Sequence, residues 1–377
     1  MNTPTAFPGS GASRRDFLMA SAAAAAGLGA ATSGAAAAVN PAAGGSTRTR
    51  RVGTATISFR YAVKSWQKEG FAAMKLLETA HRAGAEVVML YDFLIDPLDR
   101  DQIKQLRAKA EQLDVMIETS GQDLFRRTYE HSMEQAAALG AKTIACYSGM
   151  LLRPDKIPTL ELWNKHQAKT EARLRELLPT AKRLGINVAI ENHLDFTIEE
   201  LVQLIRRIDS PHVGVLFDIG NGIATLDDPI ESAELLAPYV MATHYKDFAI
   251  EEVTRGFRFT MVPLGAGSLR LPEITAKLIH AVRPEAAFSI EMMNGQQFEV
   301  KWLEDRFWVP YRGVTARQVA ATLRHIRGKA IDIGRFVPEK ELDTLPHEEQ
   351  LQFEFERIKE CIAYLKDLLQ QQSAAKA

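Results

Sequence analysis

Four apolar runs that each break off at a side chain able to ligate a metal constrain this chain more than any other feature. Ile186-Asn187-Val188-Ala189-Ile190 runs straight into Glu191, Asn192 and His193. Val213-Gly214-Val215-Leu216-Phe217 ends at Asp218, Val240-Met241-Ala242-Thr243 at His244, and Ala286-Ala287-Phe288-Ser289-Ile290 at Glu291. Short apolar runs of this kind read as strands buried on both faces, as in a parallel sheet. A charge inside such a sheet is costly unless it is paired or bound to a metal. Each polar residue is therefore expected where its strand emerges, at the carboxyl end, which is where α/β sheets carry their chemistry.

The rest of the chain alternates in the same way. Strand-like runs are expected at 53–59, 86–91, 114–119, 142–147, 186–191, 213–218, 240–244 and 286–291. Helical segments fall between them at 70–82, 99–112, 124–139, 159–184, 197–208, 229–236 and 271–282, with Gly84, Gly140 and Gly185 as stops and Thr197-x-x-Glu200 as a capping box. Eight strands with a helix after each of the first seven give the (β/α)8 TIM barrel count. The competing class is a doubly wound open sheet. No early G-x-G-x-x-G follows the first strand, which disfavours it. Residues 295–346 read as an irregular insertion after the eighth strand, carrying Trp302, Phe307, Trp308 and Tyr311, with a short helix near 315–327. A last helix at about 346–370 and a tail at 371–377 follow, so the barrel is expected over 52–370. The insertion leaves from the catalytic end, as a lid, a subunit contact in a homo-oligomer, or a packing cover would.

Before residue 52 the sequence does not read as fold. Ser13-Arg14-Arg15-Asp16-Phe17-Leu18 and the Ala/Gly-rich stretch after it resemble a twin-arginine signal over 1–38, with a small-residue site at Ala36-Ala37-Ala38 and a linker at 39–51. This implies the twin-arginine translocase as a partner during export, a periplasmic destination, and folding before transport. The Ala/Gly content makes a poor stable membrane anchor. The two cysteines, Cys146 and Cys361, are expected as buried free thiols. A net charge of −1, from 46 basic and 47 acidic residues, gives no electrostatic reason to expect nucleic acid.

Two glutamates, an aspartate and a histidine form a hard, mostly oxygen donor set. It suits Mn2+, Mg2+ or Co2+, and Zn2+ less selectively. In a barrel the last four strands occupy adjacent arcs, so Glu191, Asp218, His244 and Glu291 would converge.

Ile190-Glu191-Asn192-His193, Phe217-Asp218-Ile219-Gly220-Asn221, His244-Tyr245-Lys246-Asp247, Gly265-Ala266-Gly267-Ser268-Leu269 and Ile290-Glu291 look like the sugar phosphate isomerase/epimerase group of xylose isomerase-like TIM barrels. That group includes ketose 3-epimerases, inosose isomerases and dehydratases and, more distantly, apurinic endonucleases. The resemblance spans about 52–291. It implies a divalent metal held by Glu191, Asp218, His244 and Glu291, with Glu191 and Glu291 also exchanging protons with the substrate. One glutamate would remove a C–H proton beside a carbonyl. A second, on the opposite face, would return it and invert the carbon. Return to the neighbouring carbon gives isomerisation, and loss of a β-leaving group gives elimination.

His193, Lys246 and Asn221 are candidates for substrate binding. Each has a structural alternative: loop bonding for His193, a pair with Asp247 for Lys246. Asn221 stands where ketose 3-epimerases resemble D-x-x-H. Glu118 reads as structural, and Gly265-Ala266-Gly267 either cradles an anion or makes a tight turn. The expected activity is metal-dependent isomerisation or epimerisation of a small-molecule sugar or cyclitol through an enediolate. The alternative is a metal-dependent lyase or hydrolase of a 3-keto-glycoside. Apurinic endonuclease and non-catalytic sugar-binding readings rank lower.

Overall fold

The computed structural model describes residues 50–149, 153–328, 331, 334 and 336–374. The expected export segment 1–38 and most of the expected linker lie outside the described residues. Eight strands close into a parallel barrel: β1 Val52–Ala55, β2 Val87–Tyr91, β3 Met116–Asp123, β4 Thr143–Tyr147, β5 Asn187–Glu191, β6 Val213–Asp218, β7 Val240–Tyr245 and, after a hairpin, β10 Phe288–Ile290. The barrel order is β1-β10-β7-β6-β5-β4-β3-β2. Helices α1 Arg60–Glu69, α2 Ala72–Arg82, α3 Arg100–Gln112, α4 Tyr129–Ala138, α5 Leu160–Leu184, α6 Ile198–Ile208, α7 Pro229–Leu236, α8 Leu271–Leu278, α9 Ala316–Arg327 and α10 His347–Ala374 accompany it.

Strand periodicity decides what faces inward. In β5, Val188 and Ile190 join the large apolar core, whereas Ala189 lies in the small inner cluster with Ala55, Met89, Ala145, Leu216 and Ala242. In β10, Phe288 and Ile290 likewise belong to the outer core. Successive side chains of a strand alternate between faces. The residues one step past Ile190, Phe217 and Ile290 are therefore turned to the barrel axis: Glu191, Asp218 and Glu291.

The helix ends follow local rules. Thr197 and Glu200 form the reciprocal capping box of α6, and Thr159 caps α5, which stops at the left-handed Gly185. The expected helix at 70–82 is α2, Ala72–Arg82; a helix the sequence reading did not include, α1, precedes it and stops at Gly70, φ +84°. The third strand begins and ends later than expected, and α4 begins only at Tyr129 because 124–128 turns instead. The expected loop after the seventh strand is a hairpin, β8 Asp247–Val253 with β9 Gly256–Val262, extended by β11 Gln297–Val300 into a three-stranded sheet. Its period-two signal was present in Phe248/Ile250 and Phe257/Phe259/Met261. The chain passes Val300 so closely that a Cβ on Gly256 would lie 2.0 Å from its carbonyl oxygen. The last helix runs to Ala374, into the expected tail, and Arg50 of the expected linker donates to Ile279 O and Arg283 O at 3.0 and 2.6 Å. Cys146 and Cys361 are both buried and free.

One buried cation ties residues 295–346 to the barrel. Arg153, with no exposed surface, lies between the rings of Trp163 and Tyr311 at 3.8 and 4.1 Å. It donates to Glu200 Oε2 and Oε1 at 2.7 and 3.0 Å and to Pro310 O at 2.5 Å. Glu200 also accepts from Trp163 Nε1 at 2.8 Å and from Thr197 N at 3.0 Å. Removing one member of a buried pair strands the other. Arg153→Met is expected to lower the unfolding free energy by roughly 3 kcal/mol in urea denaturation; an effect below about 1 kcal/mol would show that the pair behaves as a surface one.

Asp227 offers a pH test. Its Oδ2 accepts from Thr225 Oγ1 at 2.7 Å and Ile198 N at 3.1 Å, and burial pushes its carboxyl up to about 7. The folded pKa lies above the unfolded value, so its contribution is complete at low pH and fades as pH rises towards 7. The stability gap between Asp227→Asn and wild type is expected to move in the variant's favour from pH 4 to 7.5, by up to about 4 kcal/mol. A gap independent of pH contradicts this.

Candidate metal centre

The barrel brings the four strand-end residues together. Glu191 ends β5, Asp218 ends β6, His244 is the penultimate residue of β7, and Glu291 follows β10 directly, its N–H donating to Tyr245 O at 3.0 Å. Asp218 pairs in register with His244. One ligand atom from each of the four lies within 4.8 Å of the others, and all four residues are buried.

The backbone aims these groups. Asn192 donates to Asp218 O and accepts from Asp218 N, both at 2.8 Å, locking β5 to β6 beyond the ladder. Asp218 Oδ1 accepts from Gly220 N and Asn221 N at 2.9 Å each. This leaves Oδ2 facing the centre, where the Lys246 ammonium lies 2.5 Å away. Lys246 Nζ also donates to Glu291 Oε2 at 2.6 Å. Asn221 Nδ2 donates to Glu191 Oε1 at 3.2 Å. His244 directs Nδ1 at Glu191 Oε1 and Glu291 Oε1, at 3.6 and 3.5 Å, with no hydrogen-bond partner on that buried nitrogen. Its Nε2 touches Met89 Sδ at 3.3 Å.

Charge balance follows. Burial works against the His244 imidazolium, but Glu291, Glu191 and Asp218 outweigh it and raise the group to about 9. Burial likewise opposes the Lys246 ammonium, and the same carboxylates raise it further above its usual range. Against its own burial, Glu291 is held well below the ordinary carboxylate range by Lys246 and His244. Three carboxylates with an inward-facing unpartnered imidazole nitrogen form a donor set that fits a hard divalent cation. Among the described residues, these are the four brought together as a possible metal site.

The substrate-binding candidates fall around this centre. Lys246 and Asn221 are in it. His193 is partly exposed, its Nδ1 is buried without a partner, and its ring stacks on Tyr147 at 5.0 Å. Glu118 lies inside the barrel, accepting from Ser289 Oγ at 3.3 Å, and burial pushes it up to about 7. Two residues escaped the sequence reading. Tyr91, at the end of β2, donates from its hydroxyl to Glu291 Oε1 at 3.0 Å. Tyr147 ends β4 beside His193. Their signal was their place at strand ends, the same one that marked the acids.

The glycine loop is filled from within. Asp247 Oδ2 accepts from Gly265 N and Gly267 N at 3.0 and 2.9 Å, and Oδ1 from Leu269 N at 3.1 Å. A Cβ on Gly267 would lie 2.1 Å from Asp247 Oδ1. The loop does cradle an anion, but that anion is the chain's own aspartate.

Comparison with known proteins agrees with this architecture. The chain belongs to the xylose isomerase-like TIM barrel family, whose sequence model matches residues 77–310. It is 26% identical over 222 residues to the 3-oxo-isoapionate decarboxylase of Pectobacterium atrosepticum, covering 58% of this chain and 77% of the relative. It is 27% identical over 228 residues to an uncharacterized Escherichia coli protein, covering 58% and 67%. In structure it is similar to a D-psicose 3-epimerase solved in the presence of D-fructose, with TM-score 0.53, 14% identity, and 85% and 99% of the two chains covered. It is also similar to the D-psicose 3-epimerase of Clostridium cellulolyticum H10 solved with D-tagatose, with TM-score 0.51, 16% identity, and 74% and 98% covered. At these identities the structural likeness shows the fold.

An unsatisfied buried amide costs about 1–3 kcal/mol. Asp247→Ala is therefore expected to reduce stability by at least about 2 kcal/mol and to remove hydrogen-exchange protection at Gly265, Gly267 and Leu269 together. Retained protection at those amides would contradict the clamp.

Proposed function

We propose that this protein is a metal-dependent isomerase or epimerase of a sugar or cyclitol, working through an enediolate with Glu191 and Glu291 as the proton-transfer pair. The observation that carries this reading is the convergence of Glu191, Asp218, His244 and Glu291 within 4.8 Å at the carboxyl end of the barrel. A divalent cation held by these four would polarise a carbonyl and acidify the C–H beside it. Mn2+, Mg2+ and Co2+ suit the donors, and Zn2+ less selectively.

The chain's own groups do the rest. Glu191 and Glu291 stand on strands that flank those of Asp218 and His244, so they approach a common centre from two sides. That is the arrangement needed to remove a proton from one face of a carbon and return one to the other. Tyr91 orients Glu291 through Oε1. Lys246, Asn221 and His193 supply an ammonium, an amide and an imidazole for substrate oxygens. The Asp247-filled loop favours an unphosphorylated sugar or glycoside, as does export by the twin-arginine route to the periplasm, which the 1–38 segment suggests.

A second reading draws on the Pectobacterium relative, a decarboxylase of a 3-oxo compound. The same proton chemistry beside a 3-keto group, with loss of a leaving group, makes a lyase or hydrolase of a 3-keto-glycoside. Incubation of a ketose and of a 3-keto-glycoside in heavy water separates the two, by solvent deuterium in recovered sugar or by released aglycone. Glu191→Gln and Glu291→Gln are each expected to cut the rate at least 100-fold, with ligand binding retained. A rate within about threefold of wild type in either variant would remove that glutamate from the proton transfer.

A further inference from the structure

We propose that Lys246 is a tethered competitor for the metal: its ammonium must withdraw from Asp218 Oδ2, towards Glu291 Oε2 and Asn221 Oδ1, before a divalent cation can take that oxygen. Loading the site and shifting that positive charge onto Glu291 and Asn221 are then one event. The inference rests on the metal-site reading of Glu191, Asp218, His244 and Glu291.

Asp218 has one oxygen to spare. Its Oδ1 is committed to Gly220 N and Asn221 N at 2.9 Å, so Oδ2 is the oxygen it can offer the centre. Lys246 Nζ stands 2.5 Å from that atom. Glu291 differs: Lys246 holds its Oε2 at 2.6 Å, while among the described residues Oε1 faces the Tyr91 hydroxyl at 3.0 Å and His244 Nδ1 at 3.5 Å. The competition is therefore decided at Asp218. A small divalent cation takes carboxylate oxygens at about 2.0–2.2 Å. An ammonium on the same oxygen would sit close enough for strong mutual repulsion in a buried site.

The ammonium has somewhere to go. Asn221 Oδ1 already lies 3.5 Å from Nζ. The lysine stem lies over Gly220, where a Cβ would come within 3.1 Å of Lys246 Cγ. The four-carbon stem can thus pivot while the charge stays among its partners. At 3% exposed, the side chain has no route to bulk water that would let it release the carboxylates cheaply.

The test measures Mn2+ affinity from loss of the free-ion paramagnetic resonance signal, in wild type, Lys246→Gln and Lys246→Met. Both variants are expected to bind Mn2+ at least tenfold more tightly and to gain more thermal stability from it. Unchanged or weaker affinity in a folded variant overturns the proposal and leaves the metal site standing. A wild-type crystal structure with Mn2+ bound covers the case of variants that do not fold. Lys246 Nζ is expected beyond hydrogen-bond reach of Asp218 Oδ2, and a persisting contact overturns the proposal. If neither wild type nor a folded variant binds Mn2+, the metal-site reading falls and the competition with it.

Discussion

Three carboxylates pressed together out of water govern this molecule. Glu191, Asp218 and Glu291 present oxygens within 4.8 Å of one another and of His244. Such a group is unstable unless cations join it. Lys246 supplies a positive charge against Asp218 and Glu291, His244 turns Nδ1 towards Glu191 and Glu291, and Asn221, Tyr91 and the Gly220 and Asn221 amides donate hydrogen bonds to the carboxylates. Charge concentrated in this way destabilises a fold and is useful where a cation must be held.

The scaffold's contribution is direction. Alternation along each strand puts the apolar partner outward and the ligand inward. Asn192 fixes β5 against β6, and Asp247 pins the loop that follows the hairpin. Arg153 does the same for the far side, joining Pro310 and Tyr311 to Glu200 at the start of α6. Through these links, residues 295–346 brace the segment that follows Glu191 and His193.

The barrel and the four central residues were legible because apolar runs ending in Glu, Asp or His are uncommon and here recur in neighbouring strands. The helix start at Thr197 was legible from capping chemistry. The β8–β9 hairpin was readable in its Phe/Ile/Met alternation, but its length between barrel elements made it look like a loop. Helix α1 was hidden because a glycine between two helices reads equally as the start of the second and the stop of the first, and Gly70 is the stop of α1. Lys246 could not be placed from sequence: His-x-Lys-Asp offers it the adjacent Asp247, whereas the fold gives Asp247 to the Gly265 loop and Lys246 to Asp218 and Glu291. Tyr91 and Tyr147 stand at strand ends as the acids do, but their partners, Glu291 and His193, depend on which strands the barrel sets together.

A single divalent cation shared by these four side chains is what the fold and the proposed chemistry both require. Anomalous diffraction at the metal edge, with equilibrium dialysis of the same preparation, tests it most directly. The account predicts one ion per chain, with Glu191, Asp218, His244 and Glu291 as its protein ligands, and loss of that ion in Asp218→Ala. An ion bound elsewhere, or full retention of metal by Asp218→Ala, would contradict it.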